Sequence, residues 1–142
     1  AQGFKTVRIP VSYLDMIGDG PDYKIDTDWL DRVQEVVDYV VDNDMFAIVN
    51  MHGDGYYTVD HSWLLCAEDD DKQTEIKDKY GKVWTQIADR FKDYDQHLIF
   101  ESMKNAGCFS QAGTPILITQ QEMNTTSRYR LTTVARLTAS VS

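Results

Sequence analysis

The chain has little cysteine, little proline and few positive charges. Its 142 residues include 2 Cys and 3 Pro, and 14 Lys and Arg stand against 23 Asp and Glu, a net charge of −9. Such a balance argues against nucleic-acid binding, which needs clustered Lys and Arg to neutralise phosphate. Cys66 and Cys108 form no metal-type spacing; nothing supports a structural disulfide between them, and each reads as a buried or free thiol. No apolar run of about 18 residues is present, so no membrane-spanning helix is expected, and no cleavable leader is recognisable. The length is that of about one ordinary domain.

The charge is unevenly spread. Residues 1–103 hold 22 Asp and Glu against 10 Lys and Arg, giving −12, whereas residues 104–142 hold Glu122 against Lys104, Arg128, Arg130 and Arg136, giving +3. The second segment is also rich in Thr and Ser. The chain therefore divides into 1–103 and an atypical tail, 104–142, which reads as foreign to the fold in the way a frameshifted end would. Pro115-Ile116-Leu117-Ile118-Thr119 is a candidate short strand, and 124–142 has no period and reads as disordered.

What the first segment does contain is a repeated pattern. Phe46-Ala47-Ile48-Val49-Asn50-Met51 is a near-continuous apolar run, as a buried parallel strand is. It breaks into the glycine-punctuated loop His52-Gly53-Asp54-Gly55-Tyr56-Tyr57. Similar runs lie at Thr6-Val7-Arg8-Ile9-Pro10-Val11 and His97-Leu98-Ile99-Phe100-Glu101. Pro10, which cannot donate to a ladder, is expected to end the first strand. Between the runs, Leu30, Val33, Val37, Val40 and Val41, and then Ile76, Tyr80, Val83, Trp84, Ile87 and Phe91, recur at helical spacing. Thr27 and Asp28 are candidate caps for the first helix, with Asp31 adding negative charge to its first turn. Gly81 weakens the middle turn of the second. Strand, helix, strand, helix, strand implies an α/β fold with parallel pairing and right-handed crossovers.

In such folds ligands bind past the carboxyl ends of the strands. His52 sits at such an end, and the loop after it runs about twenty residues to Asp71, a length that is usually functional. A lone histidine is more often structural, but this placement favours ligand contact. Tyr56, Tyr57 and Trp63 offer flat faces that could stack on sugar rings; packing of the loop by Trp63 is an equal reading. Trp29 and Trp84 fall on helices and read as packing residues. His52, Asp54 and His61 could be drawn as metal ligands, but the spacing matches no recognised site and no third strong ligand is evident. Neither metal nor cofactor is expected.

Val7-Arg8-Ile9-Pro10-Val11, Ile48-Val49-Asn50-Met51-His52-Gly53-Asp54-Gly55-Tyr56, Trp63-Leu64-Leu65 and Ile99-Phe100-Glu101-Ser102-Met103 together resemble glycoside hydrolase family 5, the cellulase family, and most closely its subfamily 4 of endo-β-1,4-glucanases and xyloglucanases. The resemblance covers about residues 1–103. It implies part of an eight-stranded (β/α) barrel, a fold that takes about 250 residues, and a secreted protein whose substrate is β-glucan. It also implies that Arg8 lies beneath the nucleophile, that His52 lines the central sugar subsite, and that Tyr56 and Trp63 border the cleft. Retaining glycosidases use two carboxyl groups. The family's acid/base glutamate follows an asparagine, and this pair falls at Lys104 and Asn105 here. The nucleophile belongs to a later strand. Glu101 is the nearest matched carboxylate and is not the proton donor. Without its nucleophile, Arg8 is expected either to pair with an acid such as Glu101 or to retain a role in the site. Two readings follow: a hydrolase by family whose activity is impaired in this chain, or a non-catalytic half-barrel that binds sugar weakly or serves only as a self-associating unit. Unpaired strand edges and an uncovered apolar face predict a homo-oligomer.

Overall fold

Three short runs of β-branched and apolar residues form the sheet. In the computed structural model, which describes residues 3–56, 58–65 and 69–101, β1 spans Thr6–Val11, β2 Phe46–Met51 and β3 Leu98–Glu101. Helix α1, Thr27–Val41, separates the first two, and α2, Asp70–Arg90, the second and third. The strands are parallel in the order β1-β2-β3, with Arg8 opposite Ile48, Pro10 opposite Asn50 and Asn50 opposite Glu101. The expected βαβαβ order is therefore observed. Tyr57, Cys66 and everything read for 104–142 lie outside the described residues.

The two sheet faces have different tasks, because successive side chains on a strand point to opposite sides. Val11, Ala47, Val49 and Met51 face the helices and join Leu30, Val33, Val37 and Val40 of α1 and Ile76, Tyr80, Val83, Trp84 and Ile87 of α2 in one core. Phe100 extends it, with edge-on ring contacts to Trp84 at 5.9 Å and Phe91 at 6.0 Å. Truncating a fully buried member such as Ile87 to Ala is worth about 2–5 kcal/mol. Arg8, Pro10, Ile48, Asn50, Ile99 and Glu101 occupy the other face, which neither helix covers.

Local chemistry differs from the sequence expectation at three points. Asp26, not Thr27 or Asp28, caps α1, its carboxylate accepting from the Trp29 amide at 3.0 Å. Asp28 supplies the first-turn acid, while Asp31, a turn further on, pairs with Arg90 of α2. Pro10 lies inside β1 rather than ending it; β1 pairs only with β2 among the described residues, and an edge strand tolerates a missing donor. Gly81 sits within an unbroken α2, where Thr85 bonds its carbonyl at 2.8 Å.

One side chain ties the end of the connection from β1 to α1 with two bonds. Gln86 of α2 accepts from the Ile25 amide and donates to the Tyr23 carbonyl, both at 2.9 Å. Nearby, Lys79 and Lys82 stand over the Tyr23 ring, each 5.6 Å from its centre.

Candidate functional site

The polar residues of the face that neither helix covers run from Arg8, inside β1 rather than at its end, to the carboxyl ends of β2 and β3. Arg8 reaches across β2 and donates from Nε to Glu101 Oε2 at 2.6 Å, and this hydrogen bond holds its guanidinium pKa above the ordinary value. The sheet thus supplies an acid to Arg8, the pairing foreseen for it in the sequence. Tyr56 is close enough to add to the same electrostatic field.

His52 is the first residue past β2. Its amide donates to the Val11 carbonyl at 2.8 Å, which continues the pairing of β1 and β2 by one residue. Its ring is fixed from two directions: Nδ1 lies 3.1 Å from Asn50 Oδ1, and Tyr56 packs edge-on at 5.7 Å. Asn50 is fully buried. Arg8, Asn50, His52, Tyr56 and Glu101 therefore form one contiguous group.

The loop after His52 is built around a second buried polar residue, Asp54, which is 1% exposed. Its carboxylate accepts from the Tyr13 amide at 3.0 Å and from the Trp63 indole N–H at 2.8 Å. Burial pushes its pKa up, and these bonds to the ionised form pull partly back. Gly53, at φ +98°, makes the turn that sends Asp54 inward. Such a conformation is open to glycine and strained for other residues. Ser62 Oγ, near the carbonyls of Gly53 (3.1 Å) and Tyr56 (2.8 Å), and the Leu64 amide, bonded to the Asp54 carbonyl at 2.8 Å, close the loop on itself.

Trp63 belongs to this inner hub. Its N–H is committed to Asp54, Lys79 stands 4.7 Å from its ring centre, and the ring packs against the core. Of the two readings the sequence left open for Trp63, these contacts are those of packing. Burial lowers the pKa of Lys79, while Asp54 acts the other way. His61 bonds Asp15 at 2.6 Å, so His52, Asp54 and His61 each have separate partners, and no cluster of three or more His, Cys, Asp or Glu suited to a metal occurs among the described residues. No helix among them is long and apolar enough to cross a membrane. Lys104 and Asn105 lie outside the described residues.

Sequence reasoning singled out Arg8, His52, Tyr56 and Glu101 but passed over Asn50 and the hub role of Asp54. One signal was available for each. Asn50 interrupts an otherwise apolar strand, and Asp54 is flanked by Gly53 and Gly55, which let the backbone turn a carboxylate inward.

A parallel βαβαβ sheet with polar residues toward the carboxyl ends of its strands is a unit of α/β folds, the (β/α) barrel among them. The chain belongs to glycosyl hydrolase family 5: the family's cellulase model matches residues 1–106. It is 50% identical over 103 residues to Endoglucanase A of Paenibacillus barcinonensis, 72% of this chain and 25% of the relative. It is 41% identical over 141 residues to the cellulase/esterase CelE of Acetivibrio thermocellus, 97% of this chain and 16% of the relative. Among solved structures, a family 5 xyloglucanase from Paenibacillus pabuli in complex with ligand superposes with a TM-score of 0.74 at 46% identity, over 87% of this chain and 34% of that one. The chain thus spans a quarter or less of the length of these two curated relatives.

Proposed function

We propose that this chain forms part of the glucan-binding cleft of a β-1,4-glucan hydrolase and has little or no catalytic activity by itself. The observation that carries this reading is the grouping of His52, Tyr56 and Glu101 at the carboxyl ends of β2 and β3 with Arg8, which reaches Glu101 from within β1. His52 and Tyr56 would meet the sugar, Tyr56 through its ring face. Trp63 would hold the loop from beneath. The relatives' names, endoglucanase, cellulase and xyloglucanase, point to a β-1,4-linked glucan as the polymer bound. A polymer of this kind is met outside the cell, so an extracellular place of action follows from the substrate.

Retaining hydrolysis needs a nucleophile and an acid/base about 5–5.5 Å apart. At the positions where the resemblance places the Asn-Glu pair stand Lys104 and Asn105, and loss of one member of a cooperating catalytic set lowers rate by several orders of magnitude. Hydrolysis of carboxymethyl-cellulose by the purified chain should be at background, while cellotriose should perturb His52 and Tyr56 resonances. Turnover abolished by Glu101→Gln would instead make Glu101 a catalytic acid.

We also propose a boundary near residue 103, on the reversal of charge there and the end of the family model at 106. The match to CelE runs over 97% of the chain, which favours a tail of family descent over one wholly foreign. The coding sequence across codons 103–106 decides: a shifted frame that restores Asn-Glu supports a slip. Finally, the outer edges of β1 and β3, unpaired among the described residues, and the half-buried Ile48 and Ile99 on the face that neither helix covers favour self-association. Light scattering should give a mass above 16.3 kDa that rises with concentration; an invariant monomer mass would remove this proposal.

A further inference from the structure

We propose that Asn50 is a positioning residue that selects the tautomer of His52, so that Nε2 is offered to the ligand as a hydrogen-bond acceptor; the inference rests on the glucan-cleft reading and deepens it. A neutral imidazole carries one proton, and its two nitrogens then have opposite roles. Which nitrogen holds the proton is set by the bond the other ring atom makes. Here Nδ1 faces Asn50 Oδ1 at 3.1 Å. An amide oxygen only accepts, so the proton belongs on Nδ1. Nε2 is left with a lone pair, suited to a hydroxyl that donates.

Three observations make this a built arrangement. Asn50 is fully buried within an apolar strand, and its Nδ2 has no partner. A buried polar group left unpaired in a strand is uncommon and calls for an explanation beyond packing; here the amide is needed for its oxygen. Asn50 also stands in register with Glu101 and on the same sheet face, so it belongs to the face that carries Arg8 and Glu101 and not to the helix-packed core. Finally, Tyr56 contacts the His52 ring edge-on at 5.7 Å, which limits rotation about the side chain that would exchange the two nitrogens.

The ligand class that suits such a site is a neutral polyhydroxyl compound whose hydroxyl donates to Nε2 and accepts elsewhere. An anionic ligand would instead require a donor at that atom. The site thus prefers an uncharged sugar hydroxyl to a carboxylate or phosphate oxygen.

The test is the two ring-nitrogen chemical shifts of His52 in the uniformly 15N-labelled chain, recorded where the imidazole is neutral. The chain has 3 His, and the signals lost in His52→Gln assign the pair. The expected result is a protonated, pyrrole-type Nδ1 and an unprotonated, pyridine-type Nε2. Asn50→Leu should reverse the two shifts, since free imidazole side chains prefer the proton on Nε2, and Asn50→Asp, which keeps an acceptor, should preserve the wild-type pattern. A pyrrole-type Nε2 in the wild-type chain would overturn the proposal, and because this reading needs no change at Asn50, an Asn50 variant that fails to fold leaves the test intact. Unchanged shifts in a folded Asn50→Leu would overturn it equally. No sugar is present in the measurement, so its failure is separate from any failure of glucan binding.

Discussion

The guanidinium of Arg8 on β1 and the carboxylate of Glu101 on β3 meet above the strand between them, Nε to Oε2 at 2.6 Å. The pair joins the two outer strands on the face that the helices leave uncovered. Its side chains are 37% and 31% exposed, so solvent screens much of the attraction. A double-mutant cycle with Arg8→Met and Glu101→Gln, read by urea unfolding, should give a coupling of about 0.5 kcal/mol that declines as salt is added. A coupling that salt leaves unchanged would mean the pair is desolvated in solution.

Asp54 should matter more to stability than any surface ion pair. Asp54→Ala strands the Tyr13 amide and the Trp63 indole N–H, and buried donors without partners are worth about 1–3 kcal/mol each. Denaturation should show a loss of about 2–4 kcal/mol, accompanied by a change in tryptophan fluorescence. The pH dependence has a definite sign. Because burial raises the folded pKa above the ordinary 3.8, the folded state holds the proton longer than the unfolded chain does. This contribution is greatest below about 3.8 and is lost as pH rises through the raised value. The stability difference between the wild-type chain and Asp54→Asn, followed by denaturation, should therefore shift against the wild type across that window.

Tyr13 offers a test in the opposite direction. It is fully buried and its hydroxyl has no partner, while its backbone amide makes the bond to Asp54. Tyr13→Phe keeps the ring and the amide and removes only the unpaired oxygen. Thermal unfolding should show stability unchanged or raised by up to about 1 kcal/mol. Burial pushes the phenol pKa far above 10.0, so stability in the wild type should fall as pH climbs past that value, where the unfolded chain ionises first. The variant should lose this component of alkaline unfolding.

Gln86→Leu should be harmful out of proportion to its partial burial. It removes the acceptor of the Ile25 amide and the donor to the Tyr23 carbonyl at once. We expect a loss of about 1–3 kcal/mol, with amide exchange rising first in the segment between Gly18 and Ile25.

These residues and their neighbours also mark where sequence is legible and where it is not. The strands and helices follow from local periodicity; His52 and Glu101 could be placed because they follow or end an apolar run, and Arg8 because it interrupts one. The cap of α1 was misplaced because Asp26, Thr27 and Asp28 are adjacent and chemically equivalent as caps; only the backbone turn selects among them. Asp54 and Gln86 were unreadable for a different reason. Each bonds a backbone group 41 or 61 positions away, and a carboxylate in a glycine-rich loop or an amide on a helix gives no local sign that tertiary packing will enclose it. Asn50 fell between these cases: its position was plain, but its use depends on where the ring of His52 points.

The two faces of the sheet set how this chain can change. Because Ala47 and Val49 turn to the helices while Ile48 and Asn50 turn away, substitutions at alternate positions of β2 act on separate properties. A point change at 48 or 50 acts on the face that carries Arg8 and Glu101 and leaves the helix-packed core in place; one at 47 or 49 does the reverse. Insertion or deletion of a single residue within the strand has no such separation. It exchanges the two sets, sending the Asn50 amide toward the helices and Val49 toward the opposite face, so selection on this strand can proceed by replacement but not by changes of length.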